Sequence, residues 1–185
     1  MTTPETHARL RALETQRTAP SPAPIVGQTA IPLPTTPGAT MPSRIQRRRT
    51  AGWRKPEGCV IVDRTSRFGN PFTVVAAIEA RSYTESEARQ YTVSAFKQWL
   101  AGSRAEWTSE EADRKRERIL AGLPLLVGHD LACACAPRAL CHADVLLEWA
   151  TAPDLDERIA KARKHVDRQR AADGLDPMHS SGEAA

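Results

Sequence analysis

No segment of this chain approaches the roughly 20 consecutive apolar residues that a membrane span requires, and the N-terminus lacks the charged start and apolar centre of a secretory signal. Both absences point to a cytoplasmic protein with no membrane partner. The four cysteines are then expected to be reduced, which turns attention from disulfides to metal binding, catalysis or packing. The paired Cys-x-x-Cys arrangement of a zinc ribbon is also missing, as is the His-x-Glu followed by Pro-Cys-x-x-Cys that zinc deaminases carry. Acid is absent from Arg44 to Lys55, although that segment holds six cations. A net charge of +4 over 185 residues is too small to argue for nucleic acid alone, so the distribution of charge matters more than its sum.

The length suits one ordinary domain with tails. Eight of the 14 prolines fall in the first 42 residues, among few large apolar side chains. Residues 1–43 therefore read as a disordered tail, unable to bury enough surface to offset its ordering entropy. A single globular domain is expected over 44–152, a charged C-terminal helix over 153–173 and a second disordered tail over 174–185.

Within the domain, Cys59 to Val62 is short, apolar and rich in β-branched residues, as a strand buried on both faces would be. Leu131 to Cys135 reads the same way and ends at Pro137. Thr84 and Glu87 form a capping-box signature ahead of a helix from Glu85, whose Tyr91, Ala95 and Trp99 repeat on a core-facing stripe. Thr108 and Glu111 repeat the signal before a helix from Ser109, closed by Gly122. Its apolar stripe is Ala112, Ile119 and Leu120, with Arg114, Lys115, Arg116 and Arg118 on a wet face. A third helix opens at His142, with Val145, Leu146 and Trp149 on one side, and Asp154 precedes the final helix. The fold class is α/β or α+β: a small sheet covered by about three helices.

Candidate chemistry gathers in the stretch from Asp130 to Trp149, which holds Cys133, Cys135, Cys141, His142 and Asp144. Cys141 and His142 lie at a helix start, where free backbone N–H groups and the helix dipole favour an anion. A thiolate at Cys141 beside His142, with Asp144 to orient an imidazole or touch a sugar hydroxyl, makes a catalytic grouping. Cys133, Cys135, Cys141 and His142 are also the ligand types that suit zinc. Against both stands plain packing of free cysteines, which Cys59 in particular suits. The loop after the first strand adds Arg64, Ser66, Arg67 and Asn70 as charge, hydroxyl and amide contacts, while Gly69 permits close backbone approach. In the basic segment, Arg47 offers a phosphate contact and Trp53 a stacking face.

These two motifs, Ser66-Arg67-Phe68-Gly69-Asn70-Pro71-Phe72 and the later Cys133, Cys135, Pro137, Cys141, His142 and Asp144, resemble those of a family called domain of unknown function 4326, found in bacteria and their viruses. The resemblance runs from about Arg44 to Ala150. It departs at Ala134, where the family usually has an aromatic residue, and at His129, where glycine is commonly followed by a basic residue. It implies one joint site built from both motifs and no particular reaction.

Three functions remain open on the sequence. The first is a nucleotide- or nucleic-acid-processing protein with a phosphate-binding basic pocket and a Cys/His centre. The second is a non-enzymatic, zinc-stabilised module that binds nucleic acid. The third is a structural or interaction protein with packed cysteines.

Overall fold

The computed structural model describes residues 41–48 and 50–179. The tail expected over 1–43 lies almost wholly outside these residues, as do positions 180–185 of the C-terminal tail.

A three-residue strand built from the basic segment, β1 (Arg44–Gln46), pairs parallel with β3 (Leu131–Cys133), and β2 (Val60–Ile61) pairs parallel with the other edge of β3. The order β1-β3-β2 puts β3 in the middle with all three of its residues buried. Arg47 N–H donates to the Cys133 carbonyl at 2.8 Å and Val62 N–H to the Ala132 carbonyl at 2.9 Å, so pairing continues past the strands on both sides. The two expected strands are neighbours, each shorter than its apolar run. β1 was hidden because Arg-Ile-Gln looks like part of a charge run and its partner lies some 87 positions on: Ser43 N–H and Oγ both bond to Asp130 Oδ1.

Among the described residues, five α-helices surround the sheet. α1 (Val74–Arg81) follows Pro71 and is capped by Thr73, whose side chain accepts from Ala76 N–H. Periodicity gives little sign of it, because only Ala77 is buried. α2 (Glu85–Leu100) opens with the complete Thr84/Glu87 capping box. It buries Ala88, Thr92, Ala95, Phe96, Trp99 and Leu100. Tyr91 departs from the expected stripe; its hydroxyl bonds Glu106 and its ring carries the Arg81 guanidinium at 4.6 Å. α3 (Glu110–Leu120) is capped by Ser109 rather than Thr108, with Ala112 N–H donating to the serine hydroxyl. A short 3-10 turn over Leu123–Leu126 leads into β3. α4 (His142–Ala150) buries Val145, Leu146 and Trp149 as expected, and α5 (Leu155–Ala172) buries Ile159, Ala162 and Val166. Asp154 makes no side-chain cap at the start of α5, because its carboxylate is taken by Arg158 at 2.8 Å.

The apolar centre is built from Val62, Phe96, Trp99, Leu100, Ile119, Leu120, Leu123, Leu126, Leu131 and Leu146. Each such side chain stabilises the fold by about 1.5–3 kcal/mol when fully buried. At one edge of it the wet face expected for α3 fails at Arg116, which is 1% exposed. Its guanidinium sits 5.1 Å from the Trp99 ring and bonds Asp113 at 2.9 Å. Asp113 also receives Arg170 at 2.8 Å and Arg104 at 3.2 Å, so one buried carboxylate binds three arginines. Glu110 at 2.5 Å from Arg170, and Asp173 beside Arg104, return negative charge. Burial still pushes Arg116 down to about 10 against the pull of Asp113. The cluster ties α3 to α5 and to the segment between α2 and α3. Hydropathy could not reveal it, because all its members are polar.

Candidate functional site

β2 and β3 run in the same direction, so their carboxyl ends open at the same edge of the sheet, where ligand sites of parallel sheets form. A cavity of about 420 Å3 lies there. Its walls come from the loop after β2 (Asp63, Arg64, Asn70), from the loop after β3 (Cys133, Cys135), from the start of α4 (Cys141, His142) and from α2 (Arg89, Thr92). That volume falls in the range that takes a small-molecule ligand.

Cys133 is the last residue of β3, Cys135 lies in the bend that follows it, and Cys141 is the N-cap residue of α4. Their sulfur atoms all lie within 4.8 Å of one another, the one such group of metal-ligating side chains among the described residues. A tetrahedral zinc centre with bonds of ~2.3 Å needs sulfur separations of roughly 3.8 Å, so a modest turn of the side chains closes the set. Cys133 and Cys141 are buried and Cys135 is partly open. Cys59 is buried elsewhere in the core, where burial raises its thiol.

The three thiols share their protons unequally. Hydrogen bonding from Cys133 and then Cys141 favours the Cys135 thiolate, against burial and with help from His142 and Arg89. The same interactions, with Cys133 first and burial third, push Cys141 well up. The helix N-terminus does act on Cys141, since Ala143 N–H points at its sulfur at 3.4 Å. That single N–H is outweighed by the neighbouring thiols, which favour the anion on Cys135 over Cys141.

His142 is 6% exposed, its ring edge-on to Phe96 at 5.5 Å between centroids. Nε2 lies 2.7 Å from the Val62 carbonyl, which only accepts, so Nε2 carries the hydrogen and Nδ1 keeps its lone pair. Burial lowers the imidazole and holds it neutral. Nδ1 sits 3.9 Å from the Cys141 sulfur, but His142 does not join the group in which all ligand atoms lie within 4.8 Å.

The other half of the site is a tightly braced loop. Asp63 receives Thr65 N–H at 2.9 Å, Thr65 Oγ1 at 2.6 Å and Arg47 at 2.6 Å. Burial alone would raise this carboxyl; the Thr65 bonds and then Arg47 outweigh it and hold it below the usual range. Ser66 turns inward, donating to the Asp63 carbonyl at 2.9 Å and accepting from Phe68 N–H at 3.2 Å. At Gly69 a β-carbon would fall 2.7 Å from Arg64 Cα and 2.9 Å from the Asp63 carbonyl oxygen, so only glycine lets the loop close. Asn70 donates to the Thr92 carbonyl at 3.0 Å and accepts from Phe72 N–H at 2.9 Å, which fastens the loop to α2.

The expected site residues thus separate by position. Arg64, Asn70, Cys133, Cys135, Cys141 and His142 line the cavity. Arg47, Trp53, Ser66, Arg67, Gly69 and Asp144 do not. Arg67 lies beside the Phe68 ring, 5.9 Å from its centre, and Trp53 N–H closes a turn onto Thr50. Asp144 is held at 2.9 Å by Arg44, which also donates to the carbonyls of Ala136, Pro137 and Ala139 at 2.6–3.1 Å. Arg44 therefore clamps the loop between Cys135 and Cys141. Arg89 and Thr92 of α2 were missed by the sequence reading. One turn of helix separates them, so their nearness in sequence was the available signal, but α2 was read only for its apolar stripe.

Among the described residues no helix is long and apolar enough to cross a membrane. No curated protein and no solved structure matches the chain at a significant level. The model of the family described as Domain of unknown function (DUF4326) matches residues 45–152, more than half of the chain, and the chain belongs to that family.

Proposed function

We propose that this member of a family of unknown function is a nucleotide- or nucleic-acid-processing protein. Its cavity takes a phosphate-bearing ligand against a three-cysteine zinc centre. The observation that carries the reading is the convergence of Cys133, Cys135 and Cys141 on the wall of a cavity that Arg64 and Arg89 also line. Three thiolates suit a soft or borderline divalent ion. Zinc held by three protein ligands supplies a Lewis acid with a fourth position for water or substrate.

The chain's own residues do the rest. Arg64 and Arg89 bind the phosphate as charged donors. Metal loading requires the thiols to lose their protons, which leave through the open cavity to water, while His142 stays neutral with its Nδ1 lone pair 3.9 Å from the Cys141 sulfur. Asn70 holds the loop of Arg64 against α2, the helix that carries Arg89, and so sets the spacing of the two cations.

The burial of Cys133 and Cys141 within the apolar core favours a second reading, a non-enzymatic module that zinc merely stabilises. Two measurements separate the readings. Metal analysis of purified protein is expected to give one zinc per chain, whose removal leaves the domain folded; unfolding on removal would favour the second reading. Titration with nucleoside phosphates is expected to show binding that Arg64→Ala and Arg89→Ala each weaken at least about tenfold, the scale of one charge-assisted contact. Affinity unchanged in both variants would overturn the phosphate assignment.

A further inference from the structure

The arginines that the sequence offers as phosphate contacts in the basic segment are partly consumed by the fold. Arg44 is occupied by Asp144 and three carbonyls, and Arg47 by Asp63 and Thr65. A second concentration of cations lies elsewhere. α2 and α4 each contribute to the thiol cavity near their starts, through Arg89 and His142, and each contributes to a separate groove near its end, through Lys97 and Trp149. α5 closes that groove, which has a volume of about 580 Å3.

The groove is lined by Lys97, Arg158, Lys161, Lys164 and Arg168, with Glu148 as its one acid. Carboxylates engage three of these cations: Lys97 meets Glu148 at 2.7 Å, Arg158 meets Asp154 at 2.8 Å and Lys161 meets Glu157 at 3.0 Å. Lys164 and Arg168 are exposed and, among the described residues, have no carboxylate partner within 4.0 Å. Positions 161, 164, 165 and 168 follow helical spacing, so they form one stripe beside the buried Ile159, Ala162 and Val166. At about 1.5 Å of rise per residue the stripe is roughly 10 Å long.

We propose that this groove, between the ends of α2 and α4 and the flank of α5, is a docking track for the phosphodiester backbone of a nucleic acid. Its charge complements a polyanion. None of the exposed large apolar side chains (Met41, Val75, Ile78, Leu125, Val127, Leu140, Leu175) lines it, so it has nothing to insert into a bilayer and suits a fully wet anion better than a lipid surface. Trp149, its aromatic residue, is 6% exposed and offers no face for a base. Recognition is therefore by backbone charge, without reading sequence.

The test is fluorescence-anisotropy binding of the full chain to a labelled 20-nucleotide single strand and its duplex, over a salt series. The comparison is between wild type and the double variant K164E/R168E, with folding checked by circular dichroism. The inference predicts binding that weakens with salt, a loss of at least about tenfold in the variant, and a slope of log affinity against log salt shallower by about 1.4 on the single strand and 1.8 on the duplex, as two lost phosphate contacts require. Equal affinity and slope in the two proteins would overturn it. So would equal or tighter binding, lost in the same variant, to anionic phosphatidylserine vesicles or to a polyglutamate peptide. Nucleoside-phosphate affinity and zinc content measured on K164E/R168E should match wild type, so a failure at the groove is distinguishable from a failure at the cavity.

Discussion

Two buried polar regions flank the same apolar core, and they are finished differently. Around Asp113, three arginines converge on one carboxylate, and Glu110 and Asp173 return charge from the rim. Around Cys135, three sulfurs have chiefly one another, an imidazole and an open cavity. The first region turns its charges on one another inside the core, although Arg104 Nε, Arg116 Nε and Trp99 Nε1 make no hydrogen bond. The second presents donor atoms to an open cavity, while Arg44 and Arg47, behind the wall, brace it through the loop from Ala136 to Ala139 and through Asp63. Buried polarity alone therefore does not mark a site. What marks the second region is that its donor atoms line a cavity while Arg44 and Arg47 hold the surrounding loops.

The largest expected effect lies in the closed region. Asp113→Ala leaves three guanidinium groups without their shared carboxylate and should cost about 3–5 kcal/mol, the usual penalty for stripping one partner from buried charges. Urea unfolding measures it, and a loss below ~1 kcal/mol would mean that the cluster is not what fastens α3 to α5. Next comes the bracing of the open region. Arg44→Met removes the clamp on the loop from Ala136 to Ala139, and zinc affinity should fall roughly 10–100-fold, as for an outer-shell partner; competition with a chelator reads this directly. An unchanged affinity would place the loop's rigidity elsewhere.

Smaller effects sharpen the contrast. Cys135→Ser should abolish tight metal binding yet leave the metal-free stability within about 0.5 kcal/mol, because the side chain is only partly buried at the margin of the core. A large loss of stability would move Cys135 into the packing class. The smallest effect is acid sensitivity. Asp63 and Glu117 both have lowered pKa values in the fold despite burial, through Thr65 and Arg47 in one case and Arg163 and His179 in the other. A lowered folded value means that stability is fully present above the ordinary carboxylate values of 3.8 and 4.5 and is lost as pH falls through the lowered ones. Urea midpoints should therefore begin to fall below about pH 6.5, where the unfolded chain takes up a proton that buried His142 resists, and decline further below 4, and Arg47→Met should reduce the Asp63 part of the lower decline, the Thr65 bonds keeping the rest.

Much of the framework was legible because its signals are local. Thr84 with Glu87 is a capping box on the page and in the fold, and the β-branched run ending at Val62 is a strand beside Leu131–Cys133. The convergence of two motifs was legible too, because parallel neighbours must open at the same edge. What sequence hid was non-local. β1 is a strand only because Leu131 supplies its ladder, so the cations of the segment it opens read as a binding run when two of them, Arg44 and Arg47, are structural. Arg116 read as wet because the carboxylate that buries it had no apolar signature. The anion falls on Cys135 rather than Cys141 because three sulfurs meet in space, which their spacing in the chain allowed without requiring.

The central claim is that Cys133, Cys135 and Cys141 act together as a metal centre on the cavity wall. The most direct measurement is zinc stoichiometry paired with mass-spectrometric alkylation of each cysteine, before and after chelation. The account predicts one zinc per chain, with these three thiols protected while zinc is bound, Cys135 alkylated first after its removal, and Cys59 slow throughout. No bound zinc under saturating supply, with alkylation of the three thiols indifferent to it, would contradict the account.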